Sequence, residues 1–102
     1  DLKIKNFLAL CKKKSIPVCA ITDMLLSIQV EKLLKMKLGK LVNYLVTSEE
    51  VGAEKPNKKI FSIALKKINC KPRECIMIGD SPIKDINGAE KMGITSLSYR
   101  AK

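Results

Sequence analysis

The chain has 102 residues, 46% of them hydrophobic and 29% charged, and carries a formal net charge of +10. That length suits one small domain, and the balance is globular, which excludes a disordered or low-complexity polymer. No apolar run approaches the ~18 residues that a membrane-spanning helix requires, and histidine, the commonest general base and transition-metal ligand, is absent.

In chain order, Ile4, Phe7, Leu8 and Cys11 recur at helical spacing and predict an amphipathic helix over 2–14, broken by Ser15 and Pro17. "VCAIT" (18–22) is a short apolar run rich in β-branched residues, of the kind a buried parallel strand uses. From Met24 to Leu38, the series Leu26, Val30, Leu33 and Leu34 predicts a second helix closed by Gly39. "YLVTS" (44–48) is a weaker strand. Asn57 is placed to cap a third helix with the stripe Ile60, Phe61, Ala64, Leu65 and Ile68. "CIMIG" (75–79) is the strongest strand. A fourth helix is expected from about Ser81 to Met92, with Ile86, Ala89 and Met92 inward and Gly93 ending it, and "ITSLSY" (94–99) is the last strand.

Strand and helix alternate without repeat or linker. Such a pattern predicts a single Rossmann-like α/β domain over residues 1–102, a parallel sheet covered on both faces and joined by right-handed crossovers. The chain begins at Asp1 with neither a methionine nor a charged-then-apolar leader, so no signal peptide is read. Cys11, Cys19, Cys70 and Cys75 have spacings that fit no zinc or CxxC pattern. Three of them lie in apolar runs and are expected to be small core residues in a reducing cytoplasm. Eighteen of the 20 basic residues are lysines spread from Lys3 to Lys102, and aromatics make up only 4%. A nucleic-acid reader would concentrate arginine among aromatics; dispersed lysines describe a solvated surface whose field favours anionic substrates.

In open α/β sheets, ligands sit beyond the carboxyl ends of the strands. Thr22 and Asp23 follow the first strand. Ser48, Glu49 and Glu50 follow the second, with Lys55 shortly after them, and Asp80, Ser81 and Asp85 follow the third. A hydroxyl, an amine and two carboxylates at one sheet edge suit a phosphate with its metal, because Mg²⁺ prefers hard carboxylate oxygens and keeps waters. Lysine offers charge to a phosphoryl oxygen and threonine a hydrogen bond. Each position taken singly also has a structural explanation. Thr22 and Asp80–Ser81 are suitable helix caps, Asp85 suits a helix's first turns, and most lysines are surface residues. Their joint order favours a site.

"VCAIT", "TSEEVGAEKPNKKIF" and "CIMIGDSPIKDINGAEKMGI" resemble the later motifs of the haloacid dehalogenase (HAD) superfamily, particularly its phosphatase-like members with a small helical cap, from about Ile4 to Leu97. The resemblance implies that Thr22 hydrogen-bonds a phosphoryl oxygen and that Lys55 neutralises charge between nucleophile and phosphoryl group. It further implies that Asp80 ligates Mg²⁺ and that Asp85 completes or supports that metal site. The backbone at Asp23 and Ser81 would add donors. The expected substrate is a small phosphorylated molecule. Nucleic acid and membrane are not expected partners.

The family's first motif, a strand ending in DxDx[TV] whose first aspartate attacks phosphorus, does not occur in this sequence, nor does the cap that follows it. The chain therefore resembles the carboxy-terminal half of such an enzyme and is expected to be inactive alone. The absent strand would sit between 18–22 and 75–79. Those two strands are then expected to pair with each other, or to leave an open edge for a second copy or a partner segment. A non-catalytic HAD-like binding module is the alternative function. Dehalogenase chemistry, a basic nucleic-acid-binding domain and a response-regulator receiver fit less well. The Asp80–Asp85 pair favours phosphate esters, only net charge supports nucleic acid, and a receiver reverses the order of acids and lysine.

Overall fold

The structure is a computed structural model that describes residues 2–22 and 39–99. The helix expected over 24–38 and the candidate residue Asp23 lie outside the described residues. Helix α1 (Leu2–Lys13) is stopped by its own backbone before Pro17 is reached. Ser15 adopts a left-handed φ of 58°, and the Ile16 N–H donates to Cys11 O at 2.8 Å, the 6→1 bond of a Schellman ending. Cys11 is buried and Ile4 and Leu8 half-buried, whereas Phe7, expected inward, is 44% exposed.

Strands β1 (Cys19–Thr22) and β2 (Tyr44–Thr47) pair in parallel, with Cys19 opposite Tyr44 and Thr22 opposite Thr47. Strands β3 (Ile76–Gly79) and β4 (Thr95–Ser98) form a second parallel pair, with Ile76 opposite Thr95. The expected alternation is thus borne out as a Rossmann-like α/β arrangement, but in two two-stranded sheets and not one. Among the described residues β1 and β3 do not pair with each other. Among the described residues, β1 has β2 and β3 has β4 as its strand neighbour.

Between the pairs run the short helix α2 (Ser48–Val51), which the sequence pattern had not revealed, and α3 (Lys58–Ile68). Helix α2 is fixed by a capping box: the Glu50 N–H donates to Thr47 Oγ1 at 3.1 Å and the Thr47 N–H to Glu50 Oε1 at 3.0 Å. Glu50 also accepts from Lys67 Nζ at 3.1 Å, and the same ammonium donates to Leu45 O at 2.7 Å, which ties α3 to β2. Asn57 caps α3 as the sequence predicts, accepting from the Lys59 N–H at 2.9 Å. The single fourth helix expected from Ser81 is instead a wide π-type turn, Pro82–Asn87, leading into α4 (Gly88–Lys91). Gly93, with φ of 80°, ends it where expected.

One core joins both sheets: Val46, Val51, Ile60, Phe61, Ala64, Ala89 and Ile94 are buried, with Cys19, Ile21, Met77 and Met92 packed against them. Helix α3 supplies the largest share through Ile60, Phe61 and Ala64, three of the five residues in its predicted stripe. Gly88 matters here for room. A Cβ at this position would lie 2.7 Å from the Phe61 ring and 3.0 Å from Pro56, and Phe61, 1% exposed, has nowhere to move. Gly88→Ala is therefore expected to destabilise the domain by about 1–3 kcal/mol through overpacking. The check is a lower urea midpoint at an unchanged m-value.

Candidate active site

The turn after β3 is organised around Asp85. Its residue is 4% exposed, and both carboxylate oxygens are engaged. Oδ2 accepts from the backbone N–H groups of Asp80 and Ser81, each at 3.1 Å. Oδ1 accepts from Lys55 Nζ at 2.7 Å, an ion pair whose side chains are 13% and 5% exposed. For the Asp85 side chain to reach back over the turn, the backbone must open. Ser81 O accepts the N–H of both Asp85 (3.0 Å) and Ile86 (3.1 Å), and the second of these is the i→i−5 bond that widens the turn. Ser81 Oγ meanwhile caps the Lys84 N–H at 3.1 Å.

Gly79 completes the seat. A Cβ on it would stand 2.4 Å from the Asp85 carboxylate, so only glycine lets the carboxylate lie against the strand end. The Tyr99 N–H donates to Gly79 O at 2.8 Å and holds that strand end from the β4 side. Lys55 reaches Asp85 from the segment between α2 and α3, where the Lys55–Pro56 peptide is cis. Two turns 30 residues apart are thus joined by one charge pair.

The predicted site residues divide as follows. Lys55, Asp80 and Asp85 are brought together. Asp80 contributes its backbone N–H to Asp85, while its own side chain is exposed and accepts no hydrogen bond among the described residues. Thr22 stands at the carboxyl end of β1, half-buried and register-paired with Thr47 in the β1–β2 sheet. Of the acids after β2, Glu50 is committed to the α2 cap and Lys67. Among the described residues no group of three or more His, Cys, Asp or Glu side chains is assembled to hold a metal. The donor chemistry nevertheless fits Mg²⁺ at Asp80, since that ion commonly takes one or two carboxylates and fills its shell with water and phosphate oxygens. Asp85, expected to complete or support that metal site, has both carboxylate oxygens engaged by protein donors. Gly79 was not anticipated as a site residue. Its signal was the GD-x4-D spacing, which forces the second aspartate back against the strand end.

Fold and site define a parallel α/β domain with a lysine–aspartate pair and an open carboxylate at the carboxyl end of a strand. The haloacid dehalogenase-like hydrolase family model matches residues 2–98, and the chain belongs to this superfamily. It is 40% identical over 81 residues to glyceraldehyde 3-phosphate phosphatase of Methanopyrus kandleri, covering 79% of this chain and 35% of that protein. It is 32% identical over 91 residues to phosphoserine phosphatase of Thermus thermophilus, covering 89% and 36%. A HAD phosphatase structure from Thermococcus onnurineus superposes with a TM-score of 0.82 at 26% identity, over 91% of this chain and 43% of that one. The chain spans about a third of the length of the curated relatives it matches. No helix among the described residues is long and apolar enough to cross a membrane.

Burial pushes the Asp85 carboxyl upward, but the Lys55 hydrogen bond, the Ser81 N–H, the Lys55 charge and the Asp80 N–H outweigh it, and the net shift is below the ordinary 3.8. A depressed folded-state pKa adds stability that is present above the unfolded value and is lost as pH falls through the folded one. Metal-free acid titration of stability should therefore show a loss below pH 3.8 that Asp85→Asn abolishes. At neutral pH, Lys55→Met should cost about 3–5 kcal/mol, because it strands a buried carboxylate. Identical acid limbs in the parent and Asp85→Asn would contradict the assignment.

Proposed function

We propose that this chain is part of a Mg²⁺-dependent phosphohydrolase that acts through an aspartyl-phosphate on a small phosphorylated substrate in the cytoplasm. The observation that carries the reading is the pairing of Lys55 with Asp85, whose carboxylate also accepts the backbone N–H of the exposed residue Asp80. Asp80 would hold the ion, which when bound neutralises phosphoryl charge. Asp85 keeps the Asp80–Ser81 turn in shape and anchors Lys55 so that its ammonium stays at the strand end. Thr22 would donate to a phosphoryl oxygen, and the backbone at Asp23 would add a donor. Phosphatase relatives that act on glyceraldehyde 3-phosphate and phosphoserine support a small phosphate ester as the substrate class. The attacking aspartate would come from a DxDx[TV] strand outside these 102 residues, seated between β1 and β3.

That β1 and β3 have one strand neighbour each among the described residues also favours a second reading, a non-catalytic module that binds a partner chain through the sheet edge. Hydrolysis of a generic phosphate ester with and without Mg²⁺ separates the two. The 102-residue chain is expected to show no turnover. A longer form supplying DxDx[TV] should turn over only with Mg²⁺ and lose about 100-fold or more in kcat on Asp80→Asn. Turnover by the short chain alone would overturn the missing-nucleophile assignment. Inactivity of the longer form would favour the binding module.

A further inference from the structure

Helix α3 ends at Asn69, in a left-handed conformation with φ of 53°, and one turn of 3₁₀ helix (Pro72–Glu74) leads into β3. A cysteine stands on either side of that turn. Cys70 Sγ donates to Ile68 O and Cys75 Sγ to Lys71 O, both at 3.3 Å, so the two thiols converge on the same four-residue stretch of backbone. The turn between them is held closed: the Glu74 N–H donates to Lys71 O at 2.9 Å, the Cys75 N–H to Pro72 O at 3.1 Å and the Lys71 N–H to Glu74 Oε1 at 2.8 Å. Both cysteines are half-buried, whereas Cys11 is buried. Nothing in the proposed phosphate chemistry uses this pair, and it lies at the end of β3 opposite Asp80.

We propose that Cys70 and Cys75 form a reversible disulfide across this turn, an oxidation site that responds to low-molecular-weight disulfides such as glutathione disulfide. The Cys75 thiol is pushed up to about 11, first by burial and then by its Cys70 neighbour, which makes it a poor first nucleophile. The Cys70 thiolate attacks one sulfur of glutathione disulfide, forming a mixed disulfide and releasing one glutathione thiolate. Cys75 then gives up its proton to solvent or to that thiolate. It attacks the Cys70 sulfur and expels the second glutathione. Two cysteine thiols are oxidised to one disulfide while one glutathione disulfide is reduced to two glutathiones. Bridging requires the two Cα atoms to come within about 7 Å, and the hydrogen bonds across residues 71–75 restrict how far the two cysteines can separate.

The chain, folded and in urea, should be equilibrated over a series of glutathione disulfide to glutathione ratios, quenched by alkylation and mapped by peptide mass. The expected result is a loss of two hydrogens and of two titratable thiols in the folded chain, assigned to a 70–75 link at ratios where the urea-unfolded chain stays reduced. Cys75→Ser should instead stop at a glutathione adduct on Cys70. Adducts without the link in the parent chain, thiols that remain reduced throughout, or a link formed equally well in urea would overturn the proposal.

Discussion

A carboxylate that is 4% exposed cannot keep its charge unless protein donors replace the water it gave up. Asp85 obtains that replacement from one ammonium and two backbone N–H groups. Much of the local geometry follows from seating this charge. Gly79 has no side chain because the carboxylate occupies the space a Cβ would need. The helix after Ser81 opens into a π-type turn because Asp85 must fold back toward the strand. Lys55, which begins the segment leading into α3, is drawn to the end of β3. An uncompensated buried charge costs several kcal/mol, so these features are coupled and disturbing one would disturb the others.

Helix α3 connects the halves of the molecule. Its Ile60, Phe61 and Ala64 bury in the core that also takes Val46 from β2 and Ala89 and Ile94 from the elements flanking β4. At its start, Asn57 caps the helix two residues beyond Lys55, and near its end Lys67 binds Leu45 O and Glu50. This packing joins the two strand pairs through one core, with no strand pairing between them among the described residues. It also leaves a parallel sheet partly uncovered, with Ile76 at 62% and Leu97 at 54% exposure, whereas parallel sheets are ordinarily covered on both faces.

The elements legible in the sequence were those specified locally. The α3 stripe, its Asn57 cap, the β-branched run of β1 and the glycine ending α4 each carry their cause within a few residues, and each stands where expected. Most of what escaped depends on distant partners. The α2 capping box is local, Thr47 with Glu50 three residues on, and was overlooked; its tie to Lys67, 17 residues away, was not legible. The π-type turn exists because Lys55 and Asp85 meet. Phe7 has the spacing of a core residue, yet 44% of it is exposed, because periodicity defines a stripe without supplying the surface that covers it. The candidate site was legible as a set of residue types at strand ends. The hydrogen bonds that set Asp85 apart were not, since the sequence leaves open whether Asp85 completes the metal site or supports it.

The two aspartates differ in what their surroundings leave them free to do. Asp85 is saturated: each oxygen already accepts from the protein, and releasing Lys55 to bind a cation would exchange a 2.7 Å contact for repulsion between the cation and the displaced ammonium. Asp80 is exposed, and its side chain accepts nothing among the described residues, while its own N–H is anchored to Asp85. The backbone beneath the carboxylate is thus tied to Asp85, although the carboxylate itself accepts nothing among the described residues. A hard cation that retains most of its waters asks for that combination, one fixed anionic ligand with room around it. The nearby lysine ammonium is kept from collapsing onto that ligand because Asp85 already holds it. On the proposed reading, separating the two charges in this way would leave both the lysine ammonium and a cation held by Asp80 to stabilise developing negative charge on a phosphoryl group.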